Sequence, residues 1–439
     1  MQIVDTLINA KWIIPVEPAE HVLDDHCVVI KNGLIVDILP IKDAASTYQA
    51  QDTFHLDDHA LIPGLINTHT HAAMSLLRGY ADDLALMDWL QHHIWPAEAK
   101  WVSPEFVYEG TQLAIAESIR SGVTCFNDMY FFPDEAANAA IEAGFRASIG
   151  LIVIDFPTIW AANADEYLQK ALSVYDKYKQ SDLISMAFAP HAPYTVSDDP
   201  LKQIALYAEE LDVPIHMHVH ETKFEVLQAK ENNGKRPLAR LTELGLVSPR
   251  LIAVHMTQLN NEEITLCANN GVSVIHCPES NMKLASGFCP VHELMSAGIN
   301  VCIGTDGAAS NNDLNMISEL HSAALLAKVV AQDPTAVPAF TALEMATING
   351  AKALGLDNIT GSLVKGKAAD ITAIDLSTIE TQPLYHPISQ IVYSSSRDQV
   401  SHVWINGENV LKERELTKFD PQHLKHIATK WGNKMAEES

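Results

Sequence analysis

Eight short apolar runs, each separated from the next by a stretch of helical character, fill the middle of this 439-residue chain. They are ALIPGLINTH (60–69), GVTCFNDM (122–129), FRASIGLIVI (145–154), ISMAFAPH (184–191), VPIHMHVH (213–220), RLIAVHM (250–256), VSVIHCPE (272–279) and INVCIGTD (299–306). Eight strand-and-helix alternations predict an α/β fold, a (β/α)8 TIM-like barrel, whose active sites lie at the carboxyl ends of its strands. The intervening helices carry ordinary punctuation. In SPEFVYEGTQLAIAESIRSG (103–122), Ser103 can cap, Pro104 suits the first turn and Gly122 suits the exit.

The chain is longer than a single core usually supports, so a barrel with a smaller accessory domain is expected. Both ends supply candidates for it. VVIKNGLIVDIL (28–39) and HVWINGENVL (402–411) each place Asn-Gly, at Asn32-Gly33 and Asn406-Gly407, between strand-like runs, the signature of a tight hairpin. ADITAIDL (369–376) adds a further strand. The expectation is a small β-sandwich domain built from both chain termini, residues 1–58 and 364–439, around a barrel over 59–363.

Charge and composition exclude several classes of partner. With 55 acidic against 29 basic residues, the formal charge of −26 repels nucleic acid and anionic membrane surfaces. Hydrophobic content of 47% suits a folded core rather than a disordered chain. The six cysteines form no C-x-x-C pair, which argues against a disulfide framework and a thiolate zinc site. The N-terminal residues lack the pattern of a secretory signal, and no apolar stretch approaches the roughly 20 residues that span a bilayer. A cytoplasmic protein is expected.

Several of the eight runs end in metal-binding groups. In PGLINTHTH (63–71), His69 and His71 are one residue apart, so on a strand they point the same way and can close on one ion. Asp306 ends the eighth run, next to the first in a closed barrel, and the fifth lies opposite. There His216, His218 and His220 share parity; His218, three before Glu221, is the chosen ligand, with His216 deeper and His220 nearer the rim. Three imidazoles, a carboxylate and an open position suit one divalent ion, zinc above all, although iron or another ion accepts the same ligands. Two-metal barrel hydrolases bridge their ions with a lysine at the end of the fourth strand, and residues 184–197 hold none, so a mononuclear site is expected. Glu221, just past the fifth run, either takes a proton from the attacking water and returns it to the substrate or is a solvated loop carboxylate, two readings that spacing alone fits equally. His255, at the sixth strand end, either orients that water or serves as a hydrogen-bonded core histidine.

These residues resemble the amidohydrolase superfamily, in particular its mononuclear aminohydrolase branch of chlorotriazine hydrolases and 5′-methylthioadenosine/S-adenosylhomocysteine deaminases. The segments that carry the resemblance are PGLINTHTH, HVHET, the histidine of AVHMTQL, CPESNMKLASG, GTDGAASNN and the close GSLVKGKAADI at 361–371. The resemblance implies His69, His71, His218 and Asp306 on the metal, Glu221 as proton shuttle and substrate contact, His255 steadying the attacking hydroxide, and Asp306 taking its remaining proton. LMDWLQHHIWPAEAKW (86–101) and APHAPYTVS (189–197) are similar to adenosine-type deaminases, implying that Trp89 packs on the substrate, Glu98 grips ribose hydroxyls and His191 contacts the nucleoside. Attack at carbon 6 of adenine would yield the inosine analogue and ammonia, in an enzyme expected to be a homo-oligomer.

Family members that bind S-adenosylhomocysteine well are expected to clamp its carboxylate with arginine from the segment after the third strand. Here residues 151–167 hold no Lys or Arg, and Phe156, Ile159 and Trp160 suit a methylthio group instead. Methylthioadenosine is the expected preference, unless Arg146 or Arg78 serves the carboxylate. Guanine, other purines and triazines are the alternative substrates for the same metal set. A scaffold protein that has lost its catalysis is a poor fit, because the ligand set and Glu221 are all present.

Overall fold

At Pro63-Gly64 the chain passes from one sheet into another, in a computed structural model that describes residues 1–437. Before the break lie β1 (Gln2–Ile13), β2 (Leu23–Lys31), β3 (Leu34–Pro40) and β4 (Tyr48–Pro63). After it come β5 (Leu65–Thr70), β6 (Val123–Tyr130), β7 (Arg146–Val153), β8 (Ile184–Pro190), β9 (Ile215–Val219), β10 (Leu251–His255), β11 (Ser273–His276) and β12 (Asn300–Ile303). β13 (Ile371–Asp375), β14 (Val400–Ile405), β15 (Glu408–Lys412) and β16 (Glu415–Leu416) then rejoin the first sheet, in the order β16-β15-β14-β13-β4-β1-β2-β3.

The two chain ends meet where β4 pairs antiparallel with β13, Leu61 opposite Ala373 and Pro63 opposite Ile371. Residues 60–63, expected to begin the first barrel strand, therefore belong to this terminal sheet. Composition could not separate them from the barrel strand, because ALIP is as apolar as the start of β5; the division falls at Gly64. A Cβ there would sit 2.1 Å from Thr124 Oγ1, so only glycine lets the chain cross at this point. Both expected hairpins form, with left-handed φ at Asn32 (52°), Gly33 (78°), Asn406 (49°) and Gly407 (78°). Their tips pack on each other: a Cβ on Gly33 would lie 2.7 Å from Asn406 O. The sheet curls until Leu34 of β3 bridges Ala368, and Ile8, Ile30, Ile35, Leu61, Ile371 and Trp404 fill the enclosed core.

The eight barrel strands fall on the eight apolar runs, the first of them only from Leu65 onward, and pair in parallel in chain order, from β5 to β12. Nearly every residue of these strands is buried, as expected of strands covered on both faces. Helix Pro104–Arg120 follows its predicted punctuation, with the Ser103 hydroxyl accepting from Phe106 N at 3.1 Å. The seam between β12 and β5 is fastened largely by side chains. Thr68 Oγ1 donates to Ile303 O at 2.6 Å, Asn67 Nδ2 donates to Thr305 Oγ1 at 2.8 Å, and Thr305 N donates back to Asn67 Oδ1 at 3.0 Å. A Cβ on Gly304 would lie 2.7 Å from His69 N, so glycine is required for the close approach. Among the described residues no helix is long and apolar enough to cross a membrane.

A buried ion pair ties the base of the barrel to the terminal sheet. Arg146 Nε, at the start of β7, lies 2.8 Å from Asp370 Oδ2, and Asp370 Oδ1 also accepts from Asn406 N at 2.7 Å. Removing the guanidinium leaves a buried carboxylate without its counter-charge. Arg146→Met should therefore cost about 3–5 kcal/mol of stability, and adding Asp370→Leu should recover part of it. Urea unfolding midpoints of the single and double variants check this, and a single variant as stable as the parent would contradict it.

Candidate metal centre and active-site cavity

The mouth of the barrel gathers four of the predicted side chains. His69 lies within β5 and His71 one residue beyond it; His218 lies within β9, and Asp306 three residues past β12 in a left-handed turn of φ 63°. One ligand atom from each falls within 4.8 Å of all the others. Asp306 Oδ1 is 3.2 Å from His69 Nε2 and 3.3 Å from His71 Nε2, and the Nε2 atoms of His69 and His218 are 3.2 Å apart.

Carbonyls on the far side of two of the rings settle their tautomers. His71 Nδ1 faces Met129 O at 2.6 Å and His218 Nδ1 faces His191 O at 2.7 Å. A carbonyl only accepts, so both Nδ1 atoms carry hydrogen and each Nε2 is left to bind a cation, a metal ion or in its absence a proton. His69 Nδ1 is 2.9 Å from His216 Nε2, and donating there turns its own Nε2 lone pair the same way. Three lone pairs and a carboxylate oxygen converging in a buried space repel one another unless a cation lies among them. This donor set, with outer hydrogen bonds orienting each ring, fits a zinc-type ion.

Asp306 is held for that role. Its Oδ2 accepts from Ser280 Oγ at 2.6 Å and Ser310 Oγ at 3.0 Å, and its Oδ1 accepts from Gly307 N at 2.8 Å. Burial works to raise this carboxyl, but its contacts with His69 and His71 hold it well below the usual carboxylate range. Burial pulls His69 down to about 4. In His71 burial acts the same way, yet Asp306, Met129 O and Asp128 outweigh it and carry the ring up to about 9. The carboxylate thus draws positive charge into a buried nest of imidazoles.

Glu221 needs a device to face this cluster, because residues 218 and 221 have opposite parity on a strand. The chain supplies it at His220, whose φ of 54° ends the extended run. The His220 ring turns outward, its Nε2 accepting from Leu238 N at 3.2 Å, while Glu221 joins His218 along the cavity wall. Ser286 Oγ donates to Glu221 Oε1 at 3.3 Å, and His255 Nε2 stands 3.8 Å from Glu221 Oε2. His255 Nδ1 donates to Asn281 Oδ1 at 2.9 Å, so its Nε2 faces the cavity. Burial raises the Glu221 carboxyl above its ordinary value, against the opposing pull of His255.

The cavity above these groups measures about 260 Å³ and is walled largely by apolar side chains, among them Trp89, Trp95, Phe131, Ile154 and Phe156. Glu98 and His191 stand in the same wall. Although part of Glu98 is open to the cavity, enclosure pushes its carboxyl up to about 7, against the pull of the nearby Tyr130 hydroxyl and His71. The Tyr130 hydroxyl falls short of a full hydrogen bond. Burial takes His191 down to about 3. Trp89 Nε1 donates to Ala81 O at 3.1 Å, which fixes the indole.

Among the described residues no lysine or arginine lines this cavity. Arg146 is committed to Asp370 at the barrel base, and Arg78 to Glu117 and Asn312 outside the cavity. Phe156 and Ile159 do line it, whereas Trp160 stands outside it and packs against Phe132 at 5.1 Å between ring centres. Sequence reasoning gave no role to Ser280, Asn281 and Ser286, although they sit in the quoted segment CPESNMKLASG. It also passed over Glu225. The Thr-x-x-Glu spacing of Thr222 and Glu225, which marks a helix start, was the available signal.

Residues 60–410 match the model of the amidohydrolase family. The chain belongs to that family. It is 51% identical over 427 residues to a 5-methylthioadenosine/S-adenosylhomocysteine deaminase of Saccharophagus degradans, covering 97% of this chain and 96% of that one. A deaminase of the same description from Thermodesulfovibrio yellowstonii is 41% identical over 431 residues, covering 98% of each chain. The crystal structure of an adenosine deaminase from Xanthomonas campestris, with bound zinc, superposes with a TM-score of 0.98 at 52% identity over 99% of each chain. A guanine deaminase from C. acetobutylicum, at 21% identity and a TM-score of 0.83 over 92% of this chain and 99% of that one, shares the fold. Family and geometry together make this a metal-dependent hydrolase of carbon–nitrogen bonds.

Because Ser280 holds the Asp306 oxygen that faces away from His69 and His71, Ser280→Ala should weaken zinc binding about 10–100-fold. Competition with a chromophoric chelator measures this directly, and unchanged affinity would remove Ser280 from the support of the centre.

Proposed function

We propose that this chain deaminates adenine nucleosides, with 5′-methylthioadenosine preferred and adenosine and S-adenosylhomocysteine turned over less well. One observation carries the reading: a single cavity joins the ligand cluster and Glu221 to Glu98 through an apolar wall without lysine or arginine. Its family kinship supports a purine nucleoside, through relatives named for that substrate class.

His69, His71, His218 and Asp306 would hold one divalent ion, most simply Zn2+, which when bound supplies Lewis-acid activation of water. The chain's own residues handle the protons. Glu221, kept protonatable by burial, takes a proton from the attacking water and delivers it to the ring nitrogen beside carbon 6. His255, whose Nε2 faces the same water, sets its direction, and Asp306 takes the second proton and passes it to the departing amino group, which leaves as ammonia. Water adds to carbon 6, ammonia departs, and the inosine analogue remains. Trp89 offers its indole to the base, Glu98 accepts from the ribose hydroxyls, and His191 contacts the nucleoside.

The enzyme is placed in the cytoplasm, acting on a free nucleoside rather than on nucleic acid or at a membrane. The charge of −26 and six buried, unpaired cysteines support that setting, and family kinship supports a homo-oligomer.

Turnover of the three nucleosides by purified enzyme tests the substrate reading, with kcat/KM highest for methylthioadenosine; an advantage for S-adenosylhomocysteine, or for guanine in a wider purine panel, would overturn it. Glu221→Gln should lower kcat by about 10²–10⁴-fold while metal analysis shows the ion retained. Glu98, lifted to about 7, is protonated below that pH and then loses its acceptor role. The kcat/KM for nucleosides should therefore fall as pH drops through about 7, and Glu98→Gln should flatten that limb of the profile.

A further inference from the structure

The kink that delivers Glu221 to the cavity is clamped by a second carboxylate that the reaction does not use. Glu225 lies in the first turn of helix Lys223–Asn233 and is 6% exposed. Its Oε1 accepts from His220 N at 3.0 Å and its Oε2 from Glu221 N at 2.7 Å. In an ordinary capping box the third helical residue reaches back to the N–H of the capping residue. That residue here is Thr222, whose hydroxyl accepts from Glu225 N at 3.2 Å. Glu225 bypasses the Thr222 amide and takes the two before it, one on each side of the left-handed His220.

The rest of the turn is held by other hands. Thr257 N donates to His220 O at 3.0 Å, and Thr257 Oγ1 donates to Glu221 O at 2.6 Å. These fix carbonyls and leave the amides to Glu225. A non-glycine residue in the left-handed region persists where its surroundings over-determine it, and two consecutive amides on two oxygens of one carboxylate do this at His220.

We propose that Glu225 is a positioning residue for Glu221: by gripping both amides around His220 it sets the direction from which the Glu221 carboxyl meets the substrate. The inference rests on the proton-carrying role given to Glu221 above. Displacing a reacting group by about 1 Å costs about 10²-fold in rate, which sets the scale of the effect.

Glu225→Gln keeps the volume, but it offers one acceptor oxygen and turns an amide NH2 toward the remaining backbone N–H. Its kcat should fall about 10–100-fold, with KM within about twofold and the bound metal at parental stoichiometry. Glu225→Asp keeps the charge but loses the reach, and should fall likewise. In a Glu221→Gln background, Glu225→Gln should cost nothing further, because the group it positions has already been disabled. Either variant turning over at the parental rate, or a further loss in that background, would overturn the proposal. Crystal structures of the variants provide an arm independent of turnover: the Glu221 carboxyl should leave its place beside Ser286 and His255, and finding it unmoved would overturn the inference. A parent enzyme inert toward all three nucleosides would instead sink the substrate reading, leaving the crystallographic arm to decide this one.

Discussion

Everything at the mouth of this barrel follows from three imidazole lone pairs aimed at one carboxylate oxygen. Such a cluster is repulsive by itself, so the fold has to impose it, and each ring is fixed from behind by a partner on another strand. Met129 O, at the end of β6, fixes His71; His191 O, just past β8, fixes His218; and His216, deeper in β9, fixes His69. The ligands therefore depend on the register of neighbouring strands more than on their own. A shift of one residue in β6 or β8 would turn a ring as surely as mutating it.

The seam between β5 and β12 extends the same dependence to barrel closure. Here side chains of Asn67 and Thr68 replace part of a regular ladder, and Asp306 N donates to His69 O at 3.0 Å. Closing the barrel and bringing the metal carboxylate to the histidines are thus one event. Gly304, which no larger residue can replace against His69, serves both. A substitution along this seam acts on stability and on metal affinity together, so loss of activity there is not by itself evidence of a catalytic role.

Much of this was legible from residue order. The eight strands, both Asn-Gly hairpins and the Ser103 cap follow from local patterning, because burial on both faces and left-handed turns leave few residue choices. His69 and His71 follow from strand parity alone. Glu221 does not: its parity with His218 is wrong for a straight strand, and only the left-handed His220 corrects it. That conformation carries little sequence mark: histidine enters the left-handed region more readily than most residues, yet three histidines of one parity read as a continuing strand. The parting of residues 60–63 from β5 was hidden for a related reason: apolar content reports burial, not the sheet in which a residue is buried. The contributions of Ser280, Asn281, Ser286 and Glu225 lie in small polar residues whose partners are far away in the chain, beyond any periodicity.

Substrate choice in such a site is governed by charges the cavity does not provide. Against a wall of Trp89, Ile154, Phe156 and Ile159, an added methyl is worth only about 1–3 kcal/mol either way. A carboxylate brought to the same wall has to surrender its water without a cation to replace it, which costs several kcal/mol per ion even after relaxation. Arg146 and Arg78 cannot answer, since each is already bound to an acid elsewhere. The wall therefore tolerates a neutral thioether more readily than it selects one. Discrimination comes from rejecting charge, and Glu98 and Glu221, both raised by the same enclosure, add negative charge of their own when ionised. A zwitterionic tail could be accommodated only by keeping its carboxylate in water at the cavity mouth, past the exposed Phe156 and Ile159.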